Sequence, residues 1–421
     1  MAKSKPSPAQ RRKPTLSVAK KTIDTSSGEE IPEHLQQNVL NIFRDCFFQS
    51  RDVQLEPVIQ KVKQHLYDRD FATAFGSEQH LEAYAARWSA ARALGYLQIF
   101  HDVSPFLHYA GRLGPLPGDS RSQGPQSADA DELIGRTAGL SVGGPAHQVE
   151  DGCAESRDDL EPGPLRTVTF LGGGAGAELV ACAAWLRLQC DKEVSGGKPG
   201  LDFISAPAQH LAINCVDIAD WSKVVRRLDE GVKAAPAISK YASAAAREAN
   251  VAMLSQDVLR SKFLQQDLLE TLSDDLKSLF RSSSLITIMF TLNELYSTSM
   301  PKTQRFLSSL TAATAPGTLL LVVDSPGSYS TVRINNSEKK YPMQWLLDHT
   351  LLESSKSVGK RLIPVCWEKL LTDDSRWFRL PKELQYPIEL ENMRYQIHLY
   401  RRLDVNDDAD EAHASSSGAA V

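Results

Sequence analysis

The residues best suited to chemistry lie in one run, Phe170-Leu171-Gly172-Gly173-Gly174-Ala175-Gly176-Ala177-Glu178-Leu179-Val180. Leu165 to Thr169 before it reads as the start of a buried strand, and Ala175 to Cys190 reads as a helix. Gly172, Gly173, Gly174 and Gly176 permit positive φ and let a ligand approach the backbone. The helix N-terminus behind them offers free N–H groups, with Glu178 in its first turn. A strand that turns through glycines into a helix builds a cradle for a nucleotide. A plain flexible turn is the competing reading.

Spacing leaves two ligand classes open. Gly172-x-Gly174-x-Gly176 suits an S-adenosylmethionine loop, while Gly172, Gly174 and Ala177 also fit a Gly-x-Gly-x-x-Ala dinucleotide fingerprint. The acids further along bear on the choice. Asp217 closes the apolar run Leu211–Val216, where a carboxylate can accept both ribose hydroxyls. A helix N-cap is its alternative role. The glycine-to-acid spacing is about twice the usual ~20 residues. The excess, Asp191 to His210, reads as an inserted polar loop. Asp267 follows Phe263–Gln266 and can accept from an adenine amino group, or cap the next helix.

Past the fourth apolar run comes Met289-Phe290-Thr291-Leu292-Asn293-Glu294-Leu295-Tyr296. Phe290 and Thr291 belong on the cofactor side. This is no Asp-Pro-Pro-Tyr loop, and no cysteine stands near it to form a covalent adduct with a pyrimidine carbon. Asn293 and Glu294 suit a ring-nitrogen target: the amide can pair with a base edge and the carboxylate can take an imide proton. Both could instead cap the strand end. Tyr296 joins the candidates for substrate contact.

The elements that must position these groups alternate. Strands are expected at Thr167–Leu171, Leu211–Val216, Lys262–Gln266, Leu285–Phe290, Thr318–Val323 and Arg394–Leu403. Helices are expected at Glu178–Cys190, Trp221–Glu230, Leu268–Phe280, Pro301–Thr314 and Tyr341–Leu352. Continuously apolar strands alternating with helices predict an α/β, doubly wound, Rossmann-like parallel sheet over residues 165–403. In such a sheet the ligand lies outside the carboxyl ends of the strands, where Gly172, Asp217, Asp267, Glu294 and Asp324 all fall.

Before the sheet, residues 33–112 carry apolar residues at helical spacing and read as an accessory helical module. Its Arg87-Trp88-Ser89-Ala90-Ala91-Arg92 segment could stack on a base or grip phosphate. A helix–helix contact with snorkelling arginines is the alternative. Residues 113–164 read as a long disordered linker, and 1–32 and 404–421 as disordered tails. The first tail is basic (Lys3, Lys5, Arg11, Arg12, Lys13, Lys20, Lys21) and reads as a nuclear address or phosphate-binding arm; the last is acidic. The net charge of −5 does not exclude RNA, since a local basic face suffices. No apolar stretch is long enough for a membrane span. The six cysteines form no Cys-x-x-Cys pair, so no metal site is expected.

The glycine run, Met289 to Tyr296 and Leu321-Val322-Val323-Asp324-Ser325-Pro326-Gly327-Ser328-Tyr329 together resemble the fungal 25S ribosomal RNA uridine-N3 methyltransferases. The resemblance covers the C-terminal domain and Tyr84 to Tyr96. It implies an S-adenosyl-L-methionine-dependent enzyme of the nucleus and nucleolus, acting on ribosomal RNA in a pre-60S particle. It does not fix the catalytic residues, which are named by geometry alone. Two other readings stay open. One is an NAD(P)-dependent oxidoreductase, for which no Ser-Tyr-x-x-x-Lys dyad is present. The other is a non-catalytic ribosome-assembly factor that keeps the fold.

Overall fold

A computed structural model describes residues 30–48, 55–107, 167–194, 211–248, 250–327, 329–334, 337–352 and 366–404. The basic arm, the expected linker, most of the inserted loop and the acidic tail lie outside the described residues.

Five parallel strands form the sheet's first part: β1 (Thr167–Leu171), β2 (Leu211–Asp217), β3 (Leu259–Gln265), β4 (Leu285–Met289) and β5 (Leu319–Asp324). A separate hairpin follows, β6 (Tyr329–Ile334) with β7 (Ser337–Pro342). The last two strands, β8 (Trp367–Phe378) and β9 (Met393–Arg402), complete a seven-stranded sheet of order β3-β2-β1-β4-β5-β9-β8. β9 runs antiparallel to β5. β4 and β5 are buried at every position, which explains their unbroken apolar sequence. The register pairs Leu171 with Val216, Asp217 with Gln265 and Met289 with Val323, so the carboxyl ends are level. The strand order reverses between β1 and β4, and that reversal opens a crevice at those ends.

The amino-terminal helices are α1 (Glu33–Phe47), α2 (Leu55–Tyr67), α3 (Phe71–Ala74), α4 (Glu78–Tyr84) and α5 (Ala90–Leu107), with a π-turn at Ala85–Ser89 joining the last two. Those that follow are α6 (Ala177–Val194), α7 (Ser222–Val232), α8 (Ala244–Glu248), α9 (Asp274–Ser282), α10 (Leu292–Ala313) and α11 (Met343–Leu352). One apolar cluster joins α1 and α5 to α6, α7 and one sheet face; a second joins α9, α10 and α11 to the other face. The helical module thus shares its core with the sheet. Trp185 Nε1 of α6 donates to Ser104 Oγ of α5 at 2.6 Å across that contact. Among the described residues, no helix is long and apolar enough to cross a membrane.

Two helices start where the sequence did not place them. α9 begins at Asp274 because Ser273 caps it, its Oγ accepting the Leu276 N–H at 3.2 Å. α10 begins at Leu292, nine residues before Pro301, and absorbs the proline through a kink at Ser299, φ −162° and ψ 104°.

Candidate functional site

The glycine loop is tied to the ends of two other strands. Gly172 has φ +78° and Gly176 φ +77°, the left-handed region that side chains disfavour. The Gly172 N–H donates to Val216 O at 2.8 Å, extending the β1–β2 ladder into the loop. A Cβ at Gly172 would run into Thr291 Oγ1, so this position is close-packed against the end of β4. A Cβ at Gly174 would run into the Trp221 ring and stand 2.8 Å from Asp217 Oδ2. That same Asp217 oxygen accepts the Gly174 N–H at 3.1 Å, and Asp217 Oδ1 accepts from the Ala219 N–H at 3.4 Å. Gly173 packs on Phe170, and Gly176 faces Leu228.

Above the loop lies a cavity of about 490 Å³. Of the residues singled out from sequence, Gly172, Glu178, Asp217, Asp267, Phe290, Thr291, Glu294 and Arg92 line it. Gly173, Gly174 and Gly176 are not on its wall. Asp267 also stabilises its own turn, Oδ1 accepting the Leu269 N–H at 2.8 Å. Asn293 is off the cavity wall, and its backbone N–H donates to Asp324 Oδ2 at 2.9 Å. Tyr296 is buried in the cluster under α10, also off the wall. Arg87 pairs with Glu391 and lies over the Trp88 ring, while Trp88 packs on Tyr84 and the α2–α4 cluster.

The opposite wall comes from outside the sheet. Phe71 and Phe75 contribute, with Tyr84, Ser89, Arg92 and Tyr96 along one helical line. Their spacing is 5, 3 and 4. Five residues of a regular α-helix advance about 500°, leaving Tyr84 and Ser89 about 140° apart. The π-turn between them removes that mismatch and aligns all four residues on the cavity. The Arg87–Arg92 cluster overlaps this turn, and the face it presents depends on the extra residue.

Burial dominates the electrostatics. The Glu178 carboxyl, 3% exposed, is pushed up to about 8 by desolvation, against the pull of its own backbone hydrogen bond and Arg92. Glu294 is pushed up to about 7 by the surrounding protein, again with Arg92 opposing. Its side chain is exposed, but into the cavity. Asp217 and Asp324 are pushed up to about 6 by burial, against the backbone N–H groups they accept. Arg92 Nη1 donates to Tyr84 Oη at 2.7 Å, and its guanidinium lies 5.1 Å from the Phe290 ring centroid. Phe290 holds φ +55°, a strained conformation for a bulky residue at the end of β4.

A pH dependence follows. A carboxyl whose folded pKa is raised contributes stability that is full below its unfolded value and is lost as pH rises through the folded one. For Glu178 that loss spans about 4.5 to about 8. His398, pushed down to about 3 by burial, acts in the opposite sense below its ordinary 6.5. The ligand-free protein is therefore expected to melt at a higher temperature at pH 6.5 than at pH 8.5. Glu294, raised to about 7, adds in the same sense at the lower end of the window; differential scanning calorimetry checks this, and a flat or rising melting temperature over that window would contradict the raised carboxyl pKa values.

A seven-stranded sheet in this order, with β9 reversed, a glycine loop after β1 and acids beyond β2 and β3, defines the S-adenosylmethionine-dependent methyltransferase class. The chain belongs to the family described as putative SAM-dependent methyltransferase, whose model matches residues 43–401. It is 31% identical over 377 residues to the 25S rRNA (uridine(2843)-N(3))-methyltransferase of Saccharomyces cerevisiae, covering 86% of this chain and 85% of that protein. The N-methyltransferase NodS of Bradyrhizobium japonicum, solved with S-adenosyl-L-homocysteine, aligns over 57% of this chain and 79% of its own, at 9% identity and TM-score 0.26. A SAM-dependent methyltransferase of Methanosarcina mazei covers 56% of this chain and 92% of its own, at 10% identity and TM-score 0.27. Likenesses this distant add nothing to the assignment. Family membership decides between the two ligands that the glycine spacing allowed, in favour of S-adenosylmethionine and against a nicotinamide dinucleotide. The cavity fits that cofactor: carboxylates face a ligand that carries cations, and at Gly172 a side chain would collide with Thr291 on the same wall.

Proposed function

We propose that this methyltransferase modifies N3 of a uridine in large-subunit ribosomal RNA, within a pre-60S particle in the nucleolus. The observation that carries the reading is Glu294, which faces the cavity from the first turn of α10, four residues after the strained Phe290. N3 of uridine holds a proton between two carbonyls and is a poor nucleophile until that proton leaves. A carboxyl near 7 is matched to that task, since its ionised form is abundant at neutral pH and still basic enough to take the proton. The cofactor supplies an electrophilic methyl group. The residues of the chain do the rest. Asp217 and Asp267 hold the ribose and adenine, Glu294 takes the proton, and Phe290 and Thr291 shape the passage between donor and acceptor.

Asn293 sits one residue before the base and is proposed to orient the uracil edge. Its backbone is fixed by Asp324, which keeps the start of α10 in place. Arg87 and Trp88, off the cavity, are proposed to meet the RNA that flanks the target. Tyr296 fixes α10 from beneath. The basic arm Lys3 to Lys21 supplies the nuclear address. The likeness to the yeast uridine-N3 methyltransferase supports the same substrate.

Mapping of modified bases in large-subunit ribosomal RNA from cells lacking this protein tests the reading. Loss of one N3-methyluridine, restored by the intact gene, is expected. Unchanged methylation with defective large-subunit assembly would favour a non-catalytic assembly factor instead.

A further inference from the structure

Four acidic side chains line the cavity: Glu178, Asp217, Asp267 and Glu294. Among the described lining residues one cation faces them, Arg92. No carboxylate lies within ion-pair distance of Arg92 among the described residues, and its hydrogen bond goes to the neutral Tyr84 phenol. Glu178 and Glu294 act on Arg92 through space but neither pairs with it directly, and an enclosed guanidinium on a cavity wall with no direct carboxylate partner suits a ligand carboxylate bound in two-pronged fashion.

The ligand of this family carries that anion. At neutral pH it has a sulfonium, an ammonium and one carboxylate. The two cations match the acidic wall, and the carboxylate has one place to go. The direction of the ligand is also set. Asp217 and Asp267 stand at the ends of β2 and β3, which suits the nucleoside. Arg92, Glu178 and Phe290 gather over β1 and β4, at the other end. Arg92 reaches there from a helix outside the sheet, turned inward by the π-turn.

We propose that Arg92 binds the carboxylate of the cofactor's amino-acid end, with Glu178 receiving the ammonium. The assignment rests on the cofactor class alone and not on the RNA substrate. It can therefore fail while the RNA reading stands, and the reverse.

The test compares two ligands by titration calorimetry: S-adenosylhomocysteine, and its decarboxylated analogue that keeps the ammonium. The unchanged protein is expected to prefer S-adenosylhomocysteine roughly 10- to 150-fold, the worth of one charged hydrogen-bonded pair. Arg92→Leu should abolish the preference by weakening S-adenosylhomocysteine alone, leaving the analogue within about twofold. Arg92→Lys should retain part of it. Equal affinities in the unchanged protein would overturn the proposal without any variant. Equal losses of both ligands in a folded Arg92→Leu would overturn it too. So would an unaltered preference accompanied by lost RNA methylation, which would reassign Arg92 to the acceptor. If Arg92→Leu does not fold, the unchanged protein and Arg92→Lys decide.

Discussion

Glu294→Gln is expected to bind S-adenosylhomocysteine as the unchanged protein does and to lose roughly 10²- to 10⁴-fold in single-turnover methylation at pH 7. The substitution keeps size and shape but removes the basic oxygen. The amide cannot accept the N3 proton, so the reaction waits for uridine that has ionised unaided. The deficit should therefore shrink as pH rises. In the unchanged protein the rate should climb through about pH 7, where Glu294 gives up its own proton. The measurement is transfer of a tritiated methyl group to a ribosomal RNA fragment across pH, with protein in excess. Unchanged rates for Glu294→Gln at neutral pH would place the base elsewhere.

Gly172→Ala should abolish cofactor binding and lower stability by more than an ordinary surface change. Two penalties combine. The residue sits at φ +78°, which costs a non-glycine about 1–2 kcal/mol. The new methyl also collides with Oγ1, Cγ2 and Cβ of Thr291. The two terms can be separated. Thr291→Gly removes the collision but not the strained backbone. The double variant should recover much of the lost stability while remaining below the unchanged protein. Thermal melts of the four combinations give the coupling. Additive losses, with no recovery in the double variant, would show that the loop and the end of β4 do not touch as described.

Much of this was readable from residue patterns. The glycine loop and the acids at the ends of β2 and β3 stand where strand–helix alternation puts them, because parallel strands must be apolar throughout and ligands must gather at their carboxyl ends. β1 runs from Thr167 to Leu171, as its sequence suggests. What escaped notice has identifiable causes. β8 contains Thr372-Asp373-Asp374-Ser375-Arg376, and irregularities between Lys369 and Leu371 and between Asp373 and Arg376 break the alternation that marks a strand. Pro301 imitates a helix start, so the first turns of α10, which hold Glu294, read as loop. Tyr84 and Tyr96 fall in a stretch that the resemblance covers, but nothing in their type or spacing marks their side chains for the cavity. Their place on the cavity depends on a π-turn, and composition does not encode that.

The docking of the amino-terminal helices has a consequence for how the protein is made. Gln37 of α1 exchanges hydrogen bonds with the backbone of Gln385, 348 residues later, and Tyr386 Oη donates to Ala86 O within the π-turn. At roughly 5–20 residues per second, the translating ribosome delivers Gln385 some 20–70 s after Gln37. For that interval the side chain of Gln37 and the Ala86 carbonyl wait for these partners. The cavity wall that carries Arg92 is synthesised before the segment between β8 and β9 that contacts the π-turn, so that contact closes only once Tyr386 has emerged.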